Sequence, residues 1–321
     1  MHSFKDLLKL FEERFNTRHF PDHTPGLYNA AQYVLDLGGK RVRPVCVLMG
    51  NELFTELNED AFHVATAIEL FHNYTLIHDD IMDKAPLRRG SETVHARFGE
   101  STAILAGDVM CTQAYEYLNK VRTEYLQKII HLFNKTSKEV CEGQQMDMDF
   151  EKMEMVNFGE YLQMVTLKTA VLLAASLQLG ALLGGAGEGN QQCLYAFGKN
   201  LGIAFQVQDD YLDAFGDPGK FGKQLGGDIQ ANKKTFLMIH AMEKAGVAAL
   251  KELKKLMNFE GVDKVNRVLQ IFKDCKVDEW ARSLKDHYLQ KALKHLDDTA
   301  VISERKKPLT ALATFLLTRE N

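Results

Sequence analysis

Two short acidic stretches hold the residues best suited to chemistry. "HNYTLIHDDIMDKAPLRRG" (residues 72–90) carries Asp79, Asp80 and Asp83 at DDxxD spacing, and "AFQVQDDYLDAFGDPGKFGKQLGGD" (204–228) repeats that spacing with Asp209, Asp210 and Asp213. On a helix, carboxylates four apart lie on one side, and His72, Asp79 and Asp83 fall within about 40° of one another. Oxygen ligands in this arrangement suit a hard divalent cation such as Mg2+, which takes one or two carboxylates and completes its shell with water and phosphate oxygens. Each DDxxD is followed by cations: Arg88 and Arg89 after the first, Lys220, Lys223, Lys233 and Lys234 after the second. Pro86 disfavours helix at Ala85, so the two arginines are expected in a loop just past the carboxylates. Guanidinium forks match phosphate oxygens. Metal-binding aspartates beside phosphate-binding cations make a diphosphate site. Six close carboxylates would repel one another unless cations lay between them.

The bland alternative is an acidic helix end in water. It fits poorly, because the helix expected from about Ala61 to Asp83 is apolar nearly all round (Ala61, Phe62, Val64, Ala65, Ala67, Ile68, Leu70, Phe71, Leu76, Ile77). Such a helix is buried, and buried charges need partners. His72 alone would read as a core histidine; its register with the aspartates makes it a candidate.

Three further outliers stand out. GGKRVRP (38–44) sets Lys40, Arg41 and Arg43 at the expected start of an apolar helix, where backbone N–H groups favour anions. Lys168 interrupts a strongly apolar helix, beside Thr169. It either snorkels to the surface or points at a buried anion. GGAGEGN (184–190) lacks the strand and the glycine spacing of a nucleotide loop and reads as a helix connection. His63, His78, His95 and His131 carry no spacing signal.

These residues need many helices to position them. No proline lies between Pro86 and Pro218, and that stretch is rich in Leu, Ala, Met, Glu, Lys and Gln. No alternating run bounded by a hairpin turn is evident. Loop signals at 21–26, 37–39, 84–90, 184–190 and 215–227 separate helical lengths, giving one all-α domain of about ten helices. No linker or low-complexity tract divides the chain. Net charge is −4, which excludes a generic nucleic-acid binder. The five cysteines, none at CxxC spacing, argue for a reducing compartment and against a zinc site. MHSFKDLLKLFEERF lacks the apolar core of a signal peptide. The most apolar run, Ala170 to Leu183, is too short to span a bilayer. The expectation is a cytoplasmic protein without stable membrane insertion.

Five motifs in order, GGKRVRP, HDDIMD…RRG, LKTA (167–170), FQVQDDYLD and GKQLGGDIQANKKT, make the chain resemble the trans-isoprenyl diphosphate synthases, the polyprenyl synthetase family, over nearly its whole length. The resemblance implies a single-domain helical bundle of the isoprenoid synthase type I fold around a deep central cavity, usually a homodimer. It implies that Asp79, Asp83 and Asp209, supported by Asp80 and Asp213, hold an allylic diphosphate through Mg2+, three ions per site. Arg88, Lys168, Thr169, Gln206, Lys223 and Lys233 match that diphosphate's protein contacts. Lys40, Arg43, His72 and Arg89 match those to isopentenyl diphosphate. The implied reaction ionises the allylic diphosphate to a carbocation, which the double bond of isopentenyl diphosphate attacks. No side-chain nucleophile is needed, and no Ser/His/Asp or Cys/His arrangement is evident.

Tyr74 and Thr75, about one turn before Asp79, would floor the cavity. One aromatic there, without the two-residue insertion that some short-chain bacterial enzymes carry inside the first motif, resembles synthases stopping at fifteen or twenty carbons. The alternatives are a longer-chain synthase and a non-catalytic partner subunit, although such subunits typically lose one aspartate motif. A class I terpene cyclase would replace the second DDxxD and would not need GGKxxR.

Overall fold

A computed structural model describes residues 1–216, 226–257, 261 and 263–318. These residues are overwhelmingly helical, as the sequence predicts. They form more than ten helices, because short helices such as Val94–Phe98 and Gly227–Gln230 add to the long ones. The residues group into two compact units. One comprises Met1–Lys135, Ala175–Tyr195 and Thr299–Pro308; the other comprises Thr136–Ala174, Ala196–Asp298 and Leu309–Asn321. Each draws on three separate segments, so no single linker divides the chain.

The first unit is organised by α4 (Glu59–Met82). Asn58 caps it, its side-chain oxygen accepting from the Ala61 N–H at 2.9 Å, and Glu59 and Asp60 place negative charge in the first turn. Most of its apolar residues are removed from water: Ala61, Val64, Ala65, Ile68 and Leu70 are fully buried, and Phe71 is 2% exposed. Around it pack α3 (Val42–Glu52) and α6 (Glu100–Leu118). On α6, Ala103, Ala106, Gly107 and Ala114 are small enough to let the two helices close. Gly50 of α3 and Gly180 of α9 (Val171–Leu183) bring two backbones into contact. A Cβ at Gly50 would lie 2.5 Å from the Leu177 carbonyl oxygen, and one at Gly180 would overlap the Val47 oxygen.

The turn after α4 departs from the loop expected of it. Leu87–Arg88 and Ser91–Glu92 pair antiparallel as β1 and β2, with Arg88 opposite Ser91. Arg89 (φ 54°) and Gly90 (φ 79°) form the link. Two consecutive positive φ values at the centre of a two-residue hairpin are the type I′ arrangement. Arginine is an unusual residue in that conformation, which is why no hairpin signal is visible in the sequence.

In the second unit, a core of Ala214, Ile229, Leu237, Met238, Leu253, Leu256, Val268, Phe272 and Val277 joins the C-terminal helices. α8 (Phe158–Val165) packs Phe158 and Tyr161 against Phe236, with ring centroids 5.5 and 4.5 Å apart. After α8 the chain widens into a π-turn over Thr166–Ala170, closed by the Val171 N–H donating to the Thr166 carbonyl, and then continues as α9. The apolar run from Ala170 to Leu183, too short by itself, is therefore part of one helical stretch, Phe158–Leu183, long and apolar enough by length and composition to cross a membrane. Its most apolar window is 72% buried inside the protein, as expected of a core helix.

Candidate active site

Both acidic motifs occupy the last turns of long helices. Asp79 and Asp80 close α4, Asp83 is its C-cap, and Asp209, Asp210 and Asp213 lie near the end of α10 (Glu188–Phe215). Neither helix has a basic residue in its last turn. The C-terminal end of a helix already carries partial negative charge, so each motif adds carboxylates where the backbone disfavours them. That arrangement calls for cations from outside the helix.

Within each motif the middle aspartate serves the protein. Asp80 is 2% exposed and accepts a two-pronged fork from Arg88, with Nε 2.7 Å from Oδ2 and Nη2 2.7 Å from Oδ1. The β1–β2 hairpin aims Arg88 back at the helix from which its loop departs. Burial alone would lower the Arg88 pKa, but the hydrogen bond to Asp80 and the charges of Asp80, Asp79 and Asp83 raise it. Asp210 is 3% exposed and accepts from the Tyr161 hydroxyl at 3.1 Å and from Gln206 Nε2 at 2.8 Å. Burial and the neighbouring charge of Asp228 push the Asp210 carboxyl well above the usual range, against the two hydrogen bonds that lower it. Asp79, Asp83, Asp209 and Asp213 are all more accessible than these two. Asp213 also accepts the Asp228 N–H at 3.0 Å. Among the described residues, no three His, Cys, Asp or Glu side chains already converge as a metal site. Two accessible carboxylates per motif, with the third engaged by protein donors, fit an ion that takes one or two carboxylates and fills its shell with water and phosphate oxygens.

The basic residues form two groups. In the first unit, Arg43 Nη1 lies 3.2 Å from Nε2 of the half-buried His72. Arg89 donates to the Gly38 carbonyl, and a Cβ at Gly39 (φ 153°) would sit 2.9 Å from Arg89 Nη2. Gly38 and Gly39 thus let Arg89 close on the loop that carries Lys40 and leads into α3, where Arg43 lies in the first turn. Burial, followed by the charges of Arg43, Arg89, Arg88 and Arg41, drives the His72 pKa well below its ordinary value, so the ring is neutral. Arg43, His72 and Arg89 thus lie within reach of one another, in a setting that favours an anion. Arg41, which the sequence groups with Lys40 and Arg43 at an anion-favouring helix start, is buried away from that role. It ion-pairs with Glu69 at 2.5 Å and donates to the Leu35 carbonyl at 2.9 Å, its φ of 48° capping the start of α3.

In the second unit, Lys168 and Thr169 project from the π-turn. Lys168 Nζ lies 2.5 Å from Asp147 Oδ2, and the Thr169 hydroxyl donates to Gln206 Oε1 at 3.3 Å. A Cβ at Gly143 would overlap the Lys168 backbone nitrogen, and one at Gly202 would lie 2.7 Å from the Ala170 Cα. Helices α7 (Thr123–Lys152) and α10 therefore grip the π-turn through side-chain-free positions. Lys233 Nζ lies 3.7 Å from Asp228 Oδ1. Lys223 lies outside the described residues. Asp147 and Tyr161 give no signal by spacing.

Tyr74 packs between Phe71 and His78, with centroids 5.5 and 4.8 Å away, and the Thr75 hydroxyl is tied to the His72 carbonyl at 2.8 Å. A side chain on Gly107 would overlap the His78 ring, so a bare position on α6 makes room for the imidazole that borders Tyr74.

Comparison with known proteins agrees with this architecture. Residues 24–275 match the profile of the polyprenyl synthetase family. A geranylgeranyl pyrophosphate synthase of Geoglobus acetivorans is 39% identical over 321 residues, 99% of this chain and 98% of its own. The crystal structure of geranylgeranyl pyrophosphate synthetase from Pyrococcus horikoshii Ot3 superposes with a TM-score of 0.92 at 34% identity, covering 98% of this chain and 97% of that one. A polyprenyl synthase from Caulobacter crescentus CB15, solved in complex with calcium and isoprenyl diphosphate, has a TM-score of 0.89 at 25% identity, covering 99% and 98% of the two chains.

Proposed function

The chain belongs to the polyprenyl synthetase family, and from that premise we propose that it makes geranylgeranyl diphosphate by head-to-tail condensation of an allylic diphosphate with isopentenyl diphosphate. It is a trans-prenyltransferase. The observation that carries the reading is the pair of DDxxD motifs at helix ends with no basic residue in their last turn, each with its middle aspartate held by protein donors.

In the reaction the allylic carbon–oxygen bond breaks and its electron pair leaves with diphosphate. The double bond of isopentenyl diphosphate attacks the resulting cation, and a proton is lost to the released diphosphate. Asp79, Asp83 and Asp209, with Asp80 and Asp213 in support, are the residues assigned to three Mg2+. When bound, Mg2+ offsets the negative charge that develops on the departing group. Arg88, Lys168, Thr169, Gln206, Lys223 and Lys233 orient the allylic diphosphate. Lys40, Arg43, His72 and Arg89 hold the second diphosphate. Neutral His72 contributes a hydrogen bond there rather than a charge. Fixed cations already in place need no reorganisation as the bond breaks. The enzyme works in the cytoplasm as a homodimer and as a single catalytic domain.

The test is incubation with Mg2+, isopentenyl diphosphate and each of dimethylallyl, geranyl and farnesyl diphosphate, followed by mass identification of the products, with a parallel arm in EDTA. Twenty-carbon diphosphate formed only with metal supports the proposal. No turnover with any primer favours a non-catalytic partner subunit, and a cyclised hydrocarbon favours a cyclase. Tyr74 sets the length in this reading. Tyr74→Ala therefore shifts the products past twenty carbons; an unchanged distribution removes Tyr74 from that role.

A further inference from the structure

We infer that Tyr161 is a positioning residue for the allylic-diphosphate site, acting on the Lys168–Thr169 turn through Asp210 and Gln206; the inference rests on the placement of that turn at the diphosphate. Three hydrogen bonds make the chain. The Tyr161 hydroxyl donates to Asp210 Oδ2 (3.1 Å), Gln206 Nε2 donates to Asp210 Oδ1 (2.8 Å), and the Thr169 hydroxyl donates to Gln206 Oε1 (3.3 Å). With Gln206 Nε2 on Asp210 Oδ1, the oxygen of the same amide faces the Thr169 hydroxyl. Asp210 thereby fixes which end of Gln206 meets the threonine.

Tyr161 is what holds Asp210. The tyrosine is 6% exposed, and its ring lies edge-on to Phe236 with centroids 4.5 Å apart. Its hydroxyl thus reaches Asp210 from a packed position with little freedom to move. Without that donor, Asp210 keeps the Gln206 bond but loses the one that sets its carboxylate plane. A buried carboxylate short of a donor seeks another partner, and its rotation carries Gln206 with it. The turn is sensitive to this because its other constraints act elsewhere. Asp147 pairs with the Lys168 ammonium, and Gly143 and Gly202 pack on the backbone. Among these contacts, the Tyr161 chain is the one that ends on the Thr169 hydroxyl.

The test is a double-mutant cycle in the full-length enzyme with Mg2+ and both diphosphates. Tyr161→Phe keeps the ring and its packing, and Thr169→Val removes the hydroxyl at the far end. Each alone lowers kcat by about fivefold to tenfold, the order of one buried hydrogen bond. Tyr161→Phe also raises KM for the allylic diphosphate and leaves KM for isopentenyl diphosphate unchanged. The double variant falls no further than the worse single one, because both changes cut the same chain. A double variant whose loss equals the product of the single losses, or a Tyr161→Phe that moves both KM values alike, overturns the inference and leaves Tyr161 as packing only. Lys168→Ala separates the two levels. If it turns over normally, the placement of the turn at the diphosphate is wrong. If it loses turnover while the cycle is additive, only the tyrosine's role falls.

Discussion

Asp79→Ala lowers turnover of an allylic diphosphate with isopentenyl diphosphate by about 10³-fold, the order seen when one group stabilising transition-state charge is removed. The melting temperature measured without Mg2+ stays the same or rises. The two outcomes follow from one feature. Asp79 adds a charge to a helix end where the macrodipole is already negative and no lysine or arginine sits in the last turn. In the metal-free protein the helix dipole opposes that charge, and Arg88 keeps its fork on Asp80 when Asp79 is removed, so the loss does not weaken the fold. With substrate bound, the same charge is what the cations require. Steady-state assays with a farnesyl or geranyl primer give the first quantity, and thermal melts in EDTA give the second. A variant that keeps more than a tenth of wild-type activity removes Asp79 from the metal-binding set. A variant that loses several degrees of melting temperature shows that Asp79 holds the helix end together.

Glu69→Ala has the largest expected effect on stability. Arg41 and Glu69 have side chains only 1% and 2% exposed, and their charged atoms are 2.5 Å apart. Asn73 Nδ2 donates to the same carboxylate oxygen at 3.0 Å, and the Arg41 guanidinium lies 4.8 Å from the Phe15 ring centroid. Removing one partner of a buried pair leaves the other charge without compensation and costs about 3–5 kcal/mol. At the scale of larger domains that lowers the melting temperature by about 10 °C. A functional effect accompanies it. Arg41 stands between Lys40 and Arg43 and starts α3 in a left-handed conformation, φ 48°. A loosened Arg41 spreads those two cations, so KM for isopentenyl diphosphate rises more than KM for the allylic substrate. Circular-dichroism melts and separate substrate titrations measure both. A shift of one or two degrees means the Leu35 carbonyl and the Phe15 ring hold Arg41 without the carboxylate.

The parts of this molecule legible in its sequence are those encoded over short distances. The helix expected from Ala61 to Asp83 spans Glu59–Met82, because its apolar run, its Asn58 cap and the proline beyond it all act locally. The helix start after GGKRVRP and the connection at GGAGEGN are likewise found as expected. What stayed hidden depends on pairs remote in sequence. Glu69 in AIELF is an ordinary acidic residue until Arg41, 28 positions earlier, is seen beside it. Asp147 meets Lys168 across 21 residues, and Tyr161 meets Asp210 across 49. The hairpin at Arg88–Ser91 was hidden for a different reason. Its turn uses an arginine at positive φ, a conformation that residue type does not advertise.

The π-turn at Thr166–Ala170 carries a consequence for how such chains can vary in length. A wide turn holds one residue more than the α-helical path around it, so a chain shorter by one there would run as uninterrupted α-helix. The helices on either side would keep their mutual register, while the residues inside the former bulge, Lys168 and Thr169 among them, would be turned away from the directions they hold now. The lysine and threonine would survive in the letters of the gene while facing another direction. Spacing in this stretch is thus constrained as tightly as residue type, and a variant with the LKTA letters intact but one position missing beside them would keep the motif and lose its aim.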